Sequence, residues 1–206
     1  MTSLLQFPAI NPTSRRWLAA LAAAAALAGA CPAAFAAWDL QQLMDSLAQT
    51  KSGRATFVET KRIALLDRPV ESSGELLFTA PDRLEKRTLK PRPESMIVAG
   101  GELMVERGSR RMRVQLQSQP QLAALIESIR GTLAGDRAAL ERSYRLSLEG
   151  TADNWALLLA PLDEKMQAVI RQIKISGTGD RVRTVEIAQA DGDSSTMVIE
   201  KAAGPQ

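Results

Sequence analysis

The sequence contains no histidine and a single cysteine among its 206 residues, and aromatic side chains make up only 4% of it. Each shortage removes chemistry. Serine–histidine pairs, cysteine nucleophiles next to an imidazole and nearly all zinc, copper and haem sites depend on a neutral imidazole or a thiolate. Only carboxylates are left to an enzyme of this composition, and no cofactor is expected. One cysteine also rules out a disulfide within the chain, so the fold must be held by burial alone. The longest apolar run, Trp17 to Ala30, falls short of the roughly 20 residues that span a bilayer.

That run has another meaning. Arg15 and Arg16 precede it, and Ala34-Phe35-Ala36 follows with small residues at the two positions that signal peptidase reads. Residues 1–36 are therefore expected to be a secretory signal cleaved after Ala36, delivering residues 37–206 to the periplasm as one domain. Ser14-Arg15-Arg16-Trp17-Leu18 has some likeness to a twin-arginine signal, although paired arginines are ordinary in the general export route. Leu27-Ala28-Gly29-Ala30-Cys31 is a poor lipidation site, because its leucine stands one place too far from the cysteine.

Removing the signal changes the charge. It takes two of the 26 basic residues and none of the 23 acidic ones, which leaves 24 − 23 = +1. No broad positive field points to nucleic acid. One local concentration stands out, Arg83, Lys86, Arg87, Lys90 and Arg92 together with Arg107, Arg110, Arg111 and Arg113. Glu85, Glu94 and Glu106 are interspersed, so it reads as a solvated outer sheet face and a guarded edge in preference to a docking surface for an acidic partner or anionic lipid. Asp191-Gly192-Asp193 reads as a turn, lacking the later ligands of a calcium loop. Gly177-Thr178-Gly179 is likewise a hairpin, since no helix and no Lys-Ser/Thr completes a phosphate loop.

The patterning predicts about three short helices among roughly ten strands. Leu40, Leu43, Met44 and Leu47 recur at helical spacing behind Asp39 as N-cap. Arg54 to Lys61, Glu75 to Thr79, Leu84 to Leu89, Ser95 to Ala99, Glu102 to Glu106 and Arg111 to Leu116 then alternate as strands, joined by connections too short for parallel crossovers. After Pro120 a helical stripe runs through Leu122, Leu125, Ile126, Ile129 and Leu133 to Gly135, and Asp136 caps a further short helix through Leu140. Strands resume at Tyr144, Trp155, Ile170, Val182 and Thr196. This grouping is α+β. So few helices over so large a sheet leave either a sheet curled on itself or an incompletely covered apolar face, which is where hydrophobic ligands bind.

In this order the segments Thr56-Phe57-Val58-Glu59, Gly74-Glu75-Leu76-Leu77-Phe78, Pro81, Glu94-Ser95-Met96-Ile97-Val98 and Gly101 to Leu103, followed by the Trp155 to Pro161 strand, the Ile173 strand and the Asp-Gly hairpin, resemble the periplasmic outer-membrane lipoprotein carrier family (LolA-like). The resemblance covers most of the chain through many weak matches. It implies a curved antiparallel sheet forming an incomplete, half β-barrel under a lid of short helices, and a monomeric, noncatalytic carrier of lipoprotein acyl chains or another amphiphilic lipid. An inner-membrane exporter would be the donor and an outer-membrane protein the acceptor. Two departures mark a divergent branch and leave the cargo open. Ala80 stands where the family has an arginine that latches the lid, and Leu84 where it has an aromatic, so the lid here is expected to be held by packing.

The residues expected to line the lipid site are Phe57, Leu76, Phe78, Leu84, Met96, Val98, Met112, Val114, Trp155 and Leu157 from strands and Leu125, Ile126 and Ile129 from the lid, with charged positions facing outward. Two rival readings remain. One is a noncatalytic sensor that binds lipid or lipoprotein and signals through a partner. The other is a carboxylate hydrolase, which would need two acidic side chains facing each other inside the cup.

Overall fold

Asp39 caps the first helix in the way the sequence predicts. Its carboxylate accepts a hydrogen bond from the Gln42 backbone N–H at 2.8 Å while the Gln42 side chain accepts from the Asp39 N–H at 3.1 Å, a reciprocal cap that starts helix α1 (Leu40–Leu47). The structure, a computed structural model, describes residues 38–202. The expected signal segment, with Cys31 and the expected cleavage position after Ala36, lies outside the described residues.

Six strands follow in a meander: β1 (Ser52–Arg62), β2 (Val70–Thr79), β3 (Arg83–Lys90), β4 (Glu94–Ala99), β5 (Glu102–Arg107) and β6 (Arg110–Gln115). A 3₁₀ turn (Leu116–Ser118) leads into α2 (Pro120–Ala134) and α3 (Arg137–Glu141). A second meander then comprises β7 (Tyr144–Thr151), β8 (Asn154–Pro161), α4 (Glu164–Gln167), β9 (Ile170–Thr178), β10 (Arg181–Gln189) and β11 (Ser194–Lys201). The last strand returns to pair with the first. The result is a single curved, open antiparallel sheet of 11 strands in the order β6-β5-β4-β3-β2-β1-β11-β10-β9-β8-β7.

This topology explains the position of the helices. Strands β6 and β7 are the two outer edges of the sheet, yet α2 and α3 connect them in sequence. The connection runs over the concave side, where Leu43, Met44 and Leu47 of α1 and Leu140 of α3 are buried against Trp155, Leu157, Leu159, Ile173 and Ile175. Two glycines let the helices close on one another. Gly135 ends α2 in the left-handed conformation (φ 66°), where a Cβ would come within 2.2 Å of the Met44 carbonyl oxygen. At Gly131 a side chain would meet Leu140 at 2.9 Å.

Most sequence expectations hold, with three differences. Strand β2 starts at Val70, five residues before the expected Glu75, because pairing with β1 carries it through the polar stretch Glu71 to Ser73. Strand β1 starts at Ser52, two residues before the expected Arg54, and so includes Gly53. Helix α4 was not expected. It has four residues, is capped by Asp163 accepting from the Met166 N–H at 3.0 Å, and buries only Met166, too little for periodicity to register.

Two outcomes follow from this packing. Gly74 sits at a register shift between β2 and β3, and a Cβ there would stand 1.9 Å from the Arg87 carbonyl oxygen. Gly74→Ala is expected to lower stability by roughly 2–4 kcal/mol in urea unfolding, because backbone must give way; an unchanged midpoint would contradict the packing. Tyr144, the one tyrosine in the chain, is buried at the start of β7. Burial, together with the charge of Glu127, pushes its phenol up to about 12. Ultraviolet absorbance should therefore show phenolate forming near pH 12 in the folded protein and near its ordinary value of 10.0 in denaturant. Since the unfolded chain loses this proton first, the group draws stability down as the pH rises from about 10 to about 12.

Candidate functional site

Strand pairing fixes which side chains share a face. Leu76 lies opposite Lys86, Lys86 opposite Met96, Met96 opposite Val105, and Val105 opposite Met112. The adjacent row joins Phe78, Leu84, Val98, Leu103 and Val114. Across β1 and the second meander, Phe57 pairs with Ile199, Val185 with Met197 and Ile175, and Ile175 with Leu157. All ten strand residues proposed from sequence therefore face the same, concave side.

Cover divides that side in two. Over β8 and β9 it is sealed by the helices, with Leu157 and Ile173 at 0% exposure. Trp155 belongs to this sealed half, its Nε1 donating to the Gly179 carbonyl at 2.9 Å, and Leu125 and Ile129 of α2 pack against the same cluster. Over β2–β6 the cover thins. Leu76, Leu84, Met96 and Val114 are half-buried and Met112 is 56% exposed, although Phe78 and Val98 remain buried. Ile126 meets this half across a cleft of about 310 Å³ lined also by Asp82, Val98, Gly101, Leu116 and Ala123. Sequence reasoning omitted Leu103 and Val105, which share the face, because it sampled only some strands of the meander.

The lid is held without a polar latch. Among the described residues, the side-chain hydrogen bonds and ion pairs of α2 stay within the helix: Ser128 donates to the Leu125 carbonyl at 2.6 Å, Thr132 to the Ser128 carbonyl at 2.6 Å, and Arg130 pairs with Glu127. Ala80, before a cis Pro81, contributes only its backbone, its N–H donating to the Lys51 carbonyl at 2.8 Å.

One expectation fails. Lys86, read as an outward charge, points into the cup, and so does Glu59; Arg107 and Arg110, read the same way, fall on the inward side at its rim. The Lys86 Nζ lies 2.5 Å from a Glu59 carboxylate oxygen and 4.9 Å from the centre of the Phe57 ring. Ser195 donates to the other Glu59 oxygen at 2.7 Å, and Lys61 stands at 3.5 Å. Lys86 reaches Glu59 across strand β2, where Gly74 has no side chain to block it. Burial pushes the Glu59 carboxyl up, but the Lys86 ammonium, the Ser195 hydroxyl and Lys61 together outweigh it and hold the group below the ordinary 4.5. The other buried carboxylate, Glu85, lies on the opposite face between Arg83 and Arg87. Arg111 and Arg113 do occupy the outer face of edge strand β6, as an edge guard should.

The inward positions also change character along five of the first six strands, β2 ending instead in Ser72 and Val70. On β1 they run Phe57, Glu59, Lys61; on β3, Leu84, Lys86; on β4, Val98, Met96, Glu94. On β5 the order is Leu103, Val105, Arg107 and on β6 Val114, Met112, Arg110, with Arg107 paired to Glu94. The register puts these charged ends at one rim. For a hydrolase the geometry is poor, because Glu59 faces an ammonium and not a second acid. No group of three or more potential metal ligands occurs among the described residues.

The pair should show itself in stability. Lys86→Met leaves Glu59 buried without its main partner and is expected to cost about 3 kcal/mol, whereas Glu59→Gln/Lys86→Met removes both charges and should recover most of that. Because the folded Glu59 value is depressed, its contribution is complete above about 4.5 and lost as the pH falls through the lower folded value. Glu59→Gln should flatten that acid limb in pH-dependent urea unfolding.

Several solved structures are similar to this chain. A LolA superfamily protein from Nitrosomonas europaea is 13% identical, with 82% of this chain and 96% of that chain covered and a TM-score of 0.42. A DUF1329 family protein from Desulfovibrio piger is 11% identical over 82% and 92% of the two chains, with a TM-score of 0.47. The MucA/MucB complex structure from Pseudomonas aeruginosa is 12% identical over 82% of this chain and 59% of that chain, with a TM-score of 0.45. No curated protein matches the sequence. The family model for outer membrane lipoprotein carrier protein LolA-like proteins matches residues 30–205, and the chain belongs to that family.

Proposed function

We propose that this protein is a noncatalytic periplasmic carrier that shields the acyl chains of a lipoprotein or another lipid-like molecule on the way to the outer membrane. One observation carries the reading. The concave face is continuous in register across the sheet, yet the helices seal it throughout only over the second meander, leaving Leu76, Leu84, Met96 and Met112 short of cover on the same apolar surface. A core that needed no occupant would bury these side chains as completely as Leu157.

The energetics suit an acyl chain. Each methylene taken out of water stabilises the complex by about 0.8 kcal/mol, so roughly a dozen would offset several kcal/mol spent in shifting the helices. The lid meets the sheet mainly through apolar contacts, and a hydrocarbon tail replaces such contacts in kind. Flexible Met96 and Met112 suit a wall that meets tails of varied shape. Periplasmic location is supported by the secretory signal read in residues 1–36 and by membership of the carrier family. The reading entails an inner-membrane donor and an outer-membrane acceptor.

Native mass spectrometry of protein isolated from the periplasm, followed by lipid extraction, tests this reading. A co-purifying amphiphile and micromolar binding of a fluorescent fatty acid are expected. Finding neither would refute it. Met112→Asp, at the exposed margin of the wall, should weaken fatty-acid binding about tenfold with little change in urea midpoint.

A further inference from the structure

We infer that the ligand is an amphiphile with an anionic headgroup, carboxylate or phosphate, seated at the Lys86 end of the cup with its tail directed toward Val98 and the lid. This rests on the carrier reading and adds the polarity of the cargo and its orientation.

The first support is the gradient along the strands. A tail laid along β3 to β5 meets only carbon near Leu84, Val98 and Leu103, while the far end of each strand turns to charge at one common rim. Such a wall matches a molecule with one oily and one polar end, and fixes which end lies where.

The second support is the sign of the charge. The inward groups at that rim are Lys61, Lys86, Arg107 and Arg110 against Glu59 and Glu94, four cations to two anions. Both carboxylates are already engaged, Glu59 by Lys86, Lys61 and Ser195 and Glu94 by Arg107. The surplus is positive and faces the apolar wall.

The third is the state of Lys86 itself. An ammonium has three donors. Glu59 takes one, the Phe57 ring covers another side, and the side chain is still 22% exposed beside Leu76 and Met96. Glu59 and Phe57 thus act as positioning residues that hold a cation with a free donor at the boundary between oily wall and polar rim. A charged pair in an apolar wall costs desolvation that a hydrophobic pair would avoid, which argues for a role beyond stability.

The test is equilibrium binding, by displacement of an uncharged fluorescent probe, of three ligands with the same palmitoyl chain: palmitate, lysophosphatidylglycerol and monopalmitoylglycerol. Both anionic ligands are expected to bind about tenfold or more tightly than the neutral one. In the Glu59→Gln/Lys86→Met variant, which removes the cation at the wall but leaves Lys61, Arg107 and Arg110 at the rim, the preference should fall several-fold. Lys61→Gln/Arg110→Gln, confined to exposed side chains, should reduce the preference several-fold without touching the core. Equal affinities in the wild type would overturn the headgroup inference and leave the carrier reading intact, whereas no binding of any of the three would overturn both. A preference undiminished in either variant, or displacement of the probe by inorganic phosphate alone, would equally overturn the assignment.

Discussion

A span that the lid cannot bridge governs this structure. Helix α2 has 15 residues, which at 1.5 Å per residue is about 22 Å. The sheet it must traverse has 11 strands, and its ten inter-strand steps of about 4.8 Å make an arc of about 48 Å. Because α2 and α3 link the two outermost strands, the chain must cross the concave side, and because they are short they seal only part of it. Position of the lid and incompleteness of the cover thus share one topological cause.

The partition of the inner face follows. Where α1 and α3 reach it, the wall is ordinary core, with Leu43, Leu140, Leu157 and Ile173 excluding water completely. Where they do not, evolution of an idle surface would favour polar side chains, since exposed apolar area invites association. The chain instead keeps leucine and methionine there and places its inward charges at the ends of the strands. Burying Glu59 and Lys86 together in such a wall brings little net stability against an apolar pair of the same volume. Their retention makes sense as a fixed polar boundary, with Gly74 cleared to let the lysine cross.

Much of this was legible in the sequence, and its limits have physical reasons. Alternation located the strands because one face is oily nearly throughout, and Asp39, Pro120, Gly135 and Asp136 announced helix ends through their capping chemistry. Helix α4 escaped because four residues with one buried methionine carry no period. Lys86 was misread because lysine on a strand is nearly always solvated, and its true direction depends on register with β2. The one local signal was Gly74 in the middle of a strand, a residue that usually marks close approach of another group. Which half of the wall lacked cover was beyond periodicity altogether, since Leu157 and Met112 sit in equally regular strands and differ only in whether a helix reaches them.

The alanine before Pro81 gains meaning from the same geometry. An arginine latch would tie the lid by hydrogen bonds that any incoming tail must break without replacing, so opening would carry an unpaid polar cost. Here α2 closes its polar side chains on itself and meets the sheet through Leu125, Ile126 and Ile129. Displacing it by hydrocarbon exchanges one set of dispersion contacts for another of similar strength. Discrimination among ligands then cannot come from the lid, which treats all tails nearly alike, and has to come from the polar rim, where the positive surplus around Lys86 accepts one kind of headgroup and leaves another undercompensated.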